Sequence, residues 1–206
     1  MQNSENIFRQ EIRHYIKTYD YERISSNVSE SIKNGGSACR KESYAVKTVM
    51  FASSDKKRSK VNMSDTKEYF SLKFYENNSC IKLIKNCIKG SYFKKISEII
   101  SIEQAKRILD CDIKWMYNTC SALLRELSVI MNTELLIPKN IIWFYRDAYE
   151  QKNKYRLTID RDIKFADYTQ SLLDKNPAQF DAEDNNTMLL KLKYPRIPPE
   201  NILKLI

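Results

Sequence analysis

Several segments of this chain alternate, residue by residue, between apolar and basic side chains, and this two-residue period restricts the fold more than any other feature. In "NTMLLKLKYP" (186–195), Leu190, Leu192 and Tyr194 share one parity, while Leu189, Lys191 and Lys193 share the other. Successive side chains of a strand point to opposite faces, so the pattern predicts a half-buried strand with one cationic face. "IFRQEIRHYI" (7–16) sets Arg9, Glu11 and Arg13 against Phe8, Ile12 and Ile16, and "EYFSLKFY" (68–75) sets Ser71 and Lys73 against Phe70, Leu72 and Phe74. "YAVKTVMF" (44–51) and "SCIKLIKN" (79–86) read as further strands. The "ENN" before the latter suits a hairpin turn, because asparagine tolerates left-handed backbone angles. "NIIWFYRDAYEQKNKYRLTIDRDIKF" (140–165) reads as a hairpin with two long arms, Arg146 before its polar tip and Arg156 after it.

Between these strands the chain reads as helix or loop. "YDYERISSNVSESI" (19–32) is expected to be helical, and "NGGS" is a loop. The polar, lysine-rich stretch 52–66 is expected to be a mobile loop whose Lys56, Lys57 and Lys60 form a solvated charge run. Ser101 followed by Gln104 forms a capping box for "SIEQAKRIL". A longer amphipathic helix is expected from about Trp115 to Met131, stopped before "IPKN" by Pro138. Some twenty polar residues follow Phe165, and "PPENILKLI" opens a last helix. About seven strands and several helices in mixed order, with no βαβ series, define an α+β protein with antiparallel strands. Only three glycines and five prolines argue against a sandwich of many short hairpins. One domain over residues 1–206 accommodates the length.

Charge narrows the partner. Lys plus Arg number 35 against 26 Asp plus Glu, a net charge of +9, which favours a polyanion such as nucleic acid, a phosphate chain or anionic lipid. The basic strand parities carry Arg9, Arg13, Lys47, Lys73, Lys82, Arg146, Arg156, Lys191 and Lys193. If those faces meet bulk water, nothing functional follows. If the sheet closes into a barrel with helices outside, they line a tunnel whose like charges repel at reduced dielectric until an anion is bound. The five cysteines include no C-x-x-C pair and accompany a single histidine, His14, so free thiols in a reducing cytoplasm are expected rather than zinc or a disulfide framework. His14 lies on the apolar parity of its strand and reads as a core or interface residue. No apolar run reaches the length of a signal peptide or of a membrane span.

"FRQEIRHYI", then "NIIWFYRDAY" followed by "YRLTIDRDI", and finally "LLKLKYPRIPPENILKLI" resemble the three best-marked segments of the VTC domain, the catalytic domain of polyphosphate polymerases. "IKLIKNCIKGSYFKKIS" and "SIEQAKRIL" fall where that family has its central strand pair and following helix. The resemblance implies a triphosphate-tunnel fold, an antiparallel closed barrel of about eight strands with helices packed outside. It also implies lumen cations that grip phosphates, acidic residues that hold Mn or Mg, and phosphoryl transfer from ATP to a growing polyphosphate chain. Glu11 and Arg13 match the acid and base of the family's first strand, Arg146 and Arg156 its hairpin arginines with Asp160 beyond, and Lys193 the lysine of the last-strand E-x-K-Y.

The departures concern mostly the acidic and phosphate-gripping positions. The last-strand glutamate is here Lys191, and the central-strand L-E-x-K reads Leu83, Ile84, Lys85, Asn86. The family's R-x-R-x-Y is Ser71, Lys73, Tyr75, and the tyrosine before the hairpin arginine is Phe144. Ala52 stands where an aspartate commonly follows the second strand, and the chain ends at Ile206, before the family's expected C-terminal Ser-Lys-Tyr segment. Exchanging a metal-ligand glutamate for lysine changes the local charge by two units where a dication would sit, and at a few ångströms each unit interaction is worth roughly 1 to 4 kcal/mol.

The expectation is therefore a divergent VTC-type domain that binds triphosphate, polyphosphate or a nucleoside triphosphate through Arg9, Arg13, Lys73, Lys82, Arg146, Arg156, Lys191 and Lys193. Its polymerase activity is expected to be reduced or lost, with no required cofactor and no assigned catalytic residue. Glu11 is the candidate metal ligand, for Mn or Mg, if activity survives. Two alternatives stay open: an active metal-dependent polymerase or triphosphatase, and a basic nucleic-acid-binding module. The aromatic residues fall mainly on the apolar parities, which disfavours the last. Asp160 reads equally as a turn residue or a lumen residue.

Overall fold

A computed structural model describes residues 9–34, 39–54, 66–76, 80–90, 92–151, 155–168, 186–198 and 200–204, without the side chains of 9, 31–34, 39, 66, 201 and 202. The loop expected over 52–66 and the polar stretch after Phe165 fall largely outside the described residues, as do Lys56, Lys57 and Lys60.

Eight strands form one closed antiparallel barrel: β1 (Arg9–Lys17), β2 (Cys39–Ser53), β3 (Thr66–Tyr75), β4 (Cys80–Lys89), β5 (Tyr92–Ile100), β6 (Leu136–Gln151), β7 (Tyr155–Asp167) and β8 (Thr187–Tyr194). Around the barrel they run β1-β5-β4-β3-β2-β6-β7-β8, and β8 closes against β1 through eight residue pairs from Gln10–Tyr194 to Lys17–Thr187. Helices lie on the outside: α1 (Thr18–Asn34), α2 (Ile102–Leu109), α3 (Ala122–Thr133) and the short α4 (Glu200–Leu203).

Apolar strand faces meet these helices in two clusters. Ile24 and Val28 of α1 pack on Leu190, Leu192, Leu157 and Ile159, all fully buried. On the opposite side α2 and α3 supply Ile108, Leu124 and Leu127 to a larger cluster with Val49, Leu72 and Leu83. Fully burying side chains of this size contributes about 1.5 to 3 kcal/mol each, which is what holds the helices to the barrel. A carboxylate and three donors fix α1 more closely. Asp147 of β6 is buried and accepts from Tyr21 of α1 at 2.9 Å, from Arg161 at 3.2 Å and from Ser43.

Three local readings change. The helix expected over 115–131 is split: a 3-10 helix covers Lys114–Asn118, and α3 starts anew at Ala122. Thr119 is extended (φ −82°, ψ 156°), and Ser121 caps α3 by accepting from the backbone of Leu124; hydroxyl side chains favour this position over a helix interior. The capping box at Ser101 and Gln104 is present. Pro138 lies inside β6, where pairing with β2 slips between Met50 and Phe51, a bulge at which the missing N–H costs no ladder bond. The strand that the seven-strand count lacked is β5, whose exposure does not alternate cleanly.

Candidate anion-binding lumen

Strand faces that do not meet a helix point into the barrel. On β8, Met188, Leu190, Leu192 and Tyr194 pack in the α1 cluster, so Leu189, Lys191 and Lys193 face the lumen. Cross-strand partners share a face, and the registers carry this assignment around the barrel. Lys193 lies opposite Glu11 and Arg156, and Lys191 opposite Arg13 and Thr158. Arg146 lies opposite Asp160 and Tyr44, Lys73 opposite Thr48 and Lys82, and Asn86 opposite Lys95. Among the described side chains the lumen therefore gathers Arg13, Lys73, Lys82, Lys95, Arg146, Arg156, Lys191 and Lys193. The carboxylates buried among them are Glu11 and Asp160. Arg9 is the cross-strand partner of Phe93, and its side chain lies outside those described.

Followed from strand to strand, the registers sort these residues along the barrel axis. Glu42 and Glu150 stand at one rim. Arg156 and Lys82 come next with Tyr44 and Tyr75, then Lys193, Arg146, Lys73 and Lys95. Below them lie Glu11, Lys191 and Asp160 together with Phe144, Thr48, Ser71, Asn86 and Phe93. Arg13 belongs to the far side, beyond Glu11, with its side chain 46% exposed.

The two carboxylates are saturated by cations. Arg146 grips Asp160 with both arms, Nε to Oδ1 at 2.6 Å and Nη2 to Oδ2 at 2.7 Å, and Lys191 Nζ donates to Oδ2 at 2.9 Å. Arg13 donates to Oε1 of Glu11, and Lys193 Nζ lies 3.0 Å from Oε2. Burial alone raises a carboxyl pKa, but these partners more than reverse it, so Glu11 is lowered and Asp160 falls to about 2. Lys73 and Lys95 have no such relief. Burial, then Arg146, Lys191 and Lys95, press Lys73 well below the usual lysine range. Burial, then Lys193, Lys82 and the two arginines, bring Lys95 down to about 7. Lys95 keeps accessible surface along the lumen although the barrel wall surrounds it.

Aromatic rings line the same space, which corrects the reading that they keep to the apolar outer parities. Lys193 Nζ sits 4.3 Å from the centre of Phe93, Arg146 4.9 Å from Phe144, and Lys82 5.5 Å from Tyr75. Such faces attract cations and partly replace lost solvation. Sequence reasoning missed Lys95, because "YFKKISEII" offers adjacent lysines and no clean period. The register of β4 against β5 distinguishes them, turning Lys95 inward and Lys94 outward. Lys47 also moves: paired with Phe74 beside Val49, it faces outward. Asp160 is a lumen residue rather than a turn residue, and His14 is exposed on the outer side of β1.

These donors are poorly suited to the divalent ion that the family resemblance implies. All four oxygens of Glu11 and Asp160 accept from cationic side chains of the chain itself, and among the described residues no cluster of three or more His, Cys, Asp or Glu could hold a metal. Octahedral magnesium needs free carboxylate oxygens. The donor set does not fit the ion; Lys191 donates to Asp160 and lies near Glu11, although burial lowers its pKa from the usual lysine value.

Solved structures share this architecture. A Bacillus halodurans protein named as a candidate adenylate cyclase is 10% identical, covering 91% of this chain and 80% of its own, with a TM-score of 0.54. A Hippeastrum protein, a candidate adenylyl cyclase with a dominant triphosphatase activity, is 10% identical over 96% of this chain and 83% of its own, with a TM-score of 0.57. A Pyrococcus horikoshii protein is 11% identical over 95% and 82%, with a TM-score of 0.50. At such identities the likeness shows the fold alone, the triphosphate tunnel. No curated protein matches the sequence. The VTC domain model matches residues 8–206, nearly the whole chain, and the chain belongs to the VTC domain family.

Proposed function

We propose that this domain binds triphosphate, or the phosphates of polyphosphate or a nucleoside triphosphate, in its lumen without an obligatory metal, and that its polymerase activity is reduced or lost. The observation that carries the reading is Lys191. It stands between the two lumen carboxylates and bonds to Asp160, supplying the positive charge that a bound dication would bring. Cations without carboxylate partners, Lys73, Lys82 and Lys95, supply the attraction for the anion. The triphosphatase activity named for the Hippeastrum protein supports triphosphate as the ligand class. Nucleic acid fits less well, because these cations point into the barrel, whose eight-stranded interior is only wide enough for side chains or a small ligand. Among the described residues no helix is long and apolar enough to cross a membrane.

Triphosphate should raise the melting temperature in the presence of a chelator, since a ligand bound only to the native state stabilises it by mass action. High salt should shrink the effect. Lys191→Glu should weaken metal-free binding and make it more dependent on manganese. Robust polyphosphate synthesis from ATP and manganese would overturn the loss of activity and favour a metal-dependent polymerase or triphosphatase. Unchanged affinity and metal dependence in Lys191→Glu would overturn the role of Lys191.

A further inference from the structure

We infer that Glu11 is a built-in counter-anion: in the free protein its carboxylate occupies Lys193 in place of a ligand oxygen, and an entering anion must take Lys193 from it. The inference rests on the anion-binding reading above and follows from the misfit with a metal. A glutamate matching the acid of the family's first strand, with both oxygens filled by the chain's own cations, has exchanged one role for another.

Geometry separates Glu11 from the other lumen carboxylate. Asp160 is 2% exposed, and the Arg146 side chain that holds it with two bonds is itself only 11% exposed. That pair is closed to an incoming ion. Glu11 is set almost as deep, its side chain 5% exposed, but 28% of the Lys193 side chain stays accessible, and a single contact joins the two, Nζ to Oε2 at 3.0 Å. An anion can therefore reach Lys193 while Glu11 still holds it.

Lys193 is also where the paired and the unpaired charges of the lumen meet. It lies opposite Glu11 on one side and Arg156 on the other. Among the cations that press on Lys95, which has no carboxylate partner, Lys193 acts most strongly. An anion that neutralises Lys95 thus competes with Glu11 for Lys193. The ring of Phe93, centred 4.3 Å from Lys193 Nζ, attracts the ammonium and keeps it in place when the carboxylate lets go. Glu11 is then left with Arg13 alone. A buried charge that loses a partner is costly, so Glu11 lowers the affinity for every anion that needs Lys193.

The test is a calorimetric titration of Glu11→Gln with triphosphate at low salt in the presence of a chelator. The amide keeps the size of the side chain and loses its charge. Affinity about tenfold tighter than in the native protein is the expected result, the order of one hydrogen bond to a charged group. In a Lys193→Met background the same substitution should gain less than about threefold, because the cation in dispute is gone. Unchanged or weaker affinity in Glu11→Gln, or a gain as large without Lys193, would overturn this inference alone. So would a manganese-dependent affinity of the native protein that Glu11→Gln abolishes, the mark of a metal ligand. Absence of triphosphate binding to both the native protein and Glu11→Gln would overturn the anion-binding reading together with it. If Glu11→Gln lacks the native circular dichroism, Glu11→Asp takes its place. It keeps the charge but withdraws it from Lys193 by one methylene, so a gain of about threefold is expected, and no gain overturns the inference.

Discussion

Lys85 and Lys73 sit on adjacent strands, one facing out of the barrel and the other in, and their surroundings are opposite. Lys85 packs beneath α3 with its side chain 9% exposed, and it has two carboxylates within reach, Glu126 at 2.6 Å and Glu68 at 2.8 Å. Burial would lower its pKa, but these partners raise it above the usual value. Lys73 has no carboxylate partner, rests 5.9 Å from the centre of Phe144, and is lowered by burial and by neighbouring cations. The outer lysine is completed by its own chain. The inner one is held ready for charge from elsewhere, and the same contrast separates outer Asp147, with three donors of its own, from Lys95. The difference supports the proposed ligand site more directly than net charge does, since net charge counts both kinds of lysine alike.

The most disruptive way to break the contrast is to remove the lumen cation that grips a buried carboxylate with both arms. Arg146→Met would leave Asp160, 2% exposed, with Lys191 as its single cationic partner. Uncompensated burial of charge costs on the order of 3 kcal/mol. Urea unfolding should register that loss, and triphosphate binding should disappear with it. A loss below about 1 kcal/mol would mean that the pair is solvated more like a surface pair than a buried one.

A sharper comparison sets Lys73→Met beside Lys85→Met. Replacing Lys85 removes a partner from Glu68 and Glu126, both partly exposed, and should cost about 1 kcal/mol while leaving triphosphate affinity unchanged. Replacing Lys73 removes a desolvated cation and should stabilise the free protein by on the order of 1 kcal/mol while weakening triphosphate. Opposite signs in stability, read by denaturant midpoints, are the expected outcome. If both variants lose stability equally, the inner lysine has a partner in solution and the distinction collapses.

The same contrast explains what could be read from the sequence. β8 and β1 were legible because one face packs under α1 and the other is ionic, so the two-residue period is clean. The long hairpin of β6 and β7 announced itself by its arginines. Lys95 and the inward aromatic rings were not legible, because a ligand-holding barrel buries both faces of its strands, and parity then separates two buried environments rather than core from water. Tyr44, Val46, Phe144 and Ala148 make an apolar cluster inside the barrel that periodicity alone assigns to the outer core. The break before α3 turned on Ser121, whose capping role shows only when the backbone at Thr119 is seen to be extended.

The smallest expected effect is a pH dependence carried by Lys95. Its pKa falls from 10.5 unfolded to about 7 folded, so between those values the unfolded chain binds more protons. Stability contributed by this group therefore rises with pH across that window and flattens above it. Anion binding runs the other way. A triphosphate over Lys95 favours its charged form, so binding near and above neutral pH should take up a fraction of a proton, and affinity should decline as pH rises from 7 toward 10. Calorimetry in two buffers of different ionisation enthalpy measures that uptake directly, and Lys95→Met should reduce it while leaving intact the pairing of Asp160 and the share carried by Lys73, whose pKa is lowered as well. Asp160 cannot mimic the signal, because its pKa of about 2 keeps it ionised throughout the window. If proton uptake is absent in the native protein, Lys95 is already charged before the anion arrives, and the lumen would then be less desolvated at Lys95 than at Lys73.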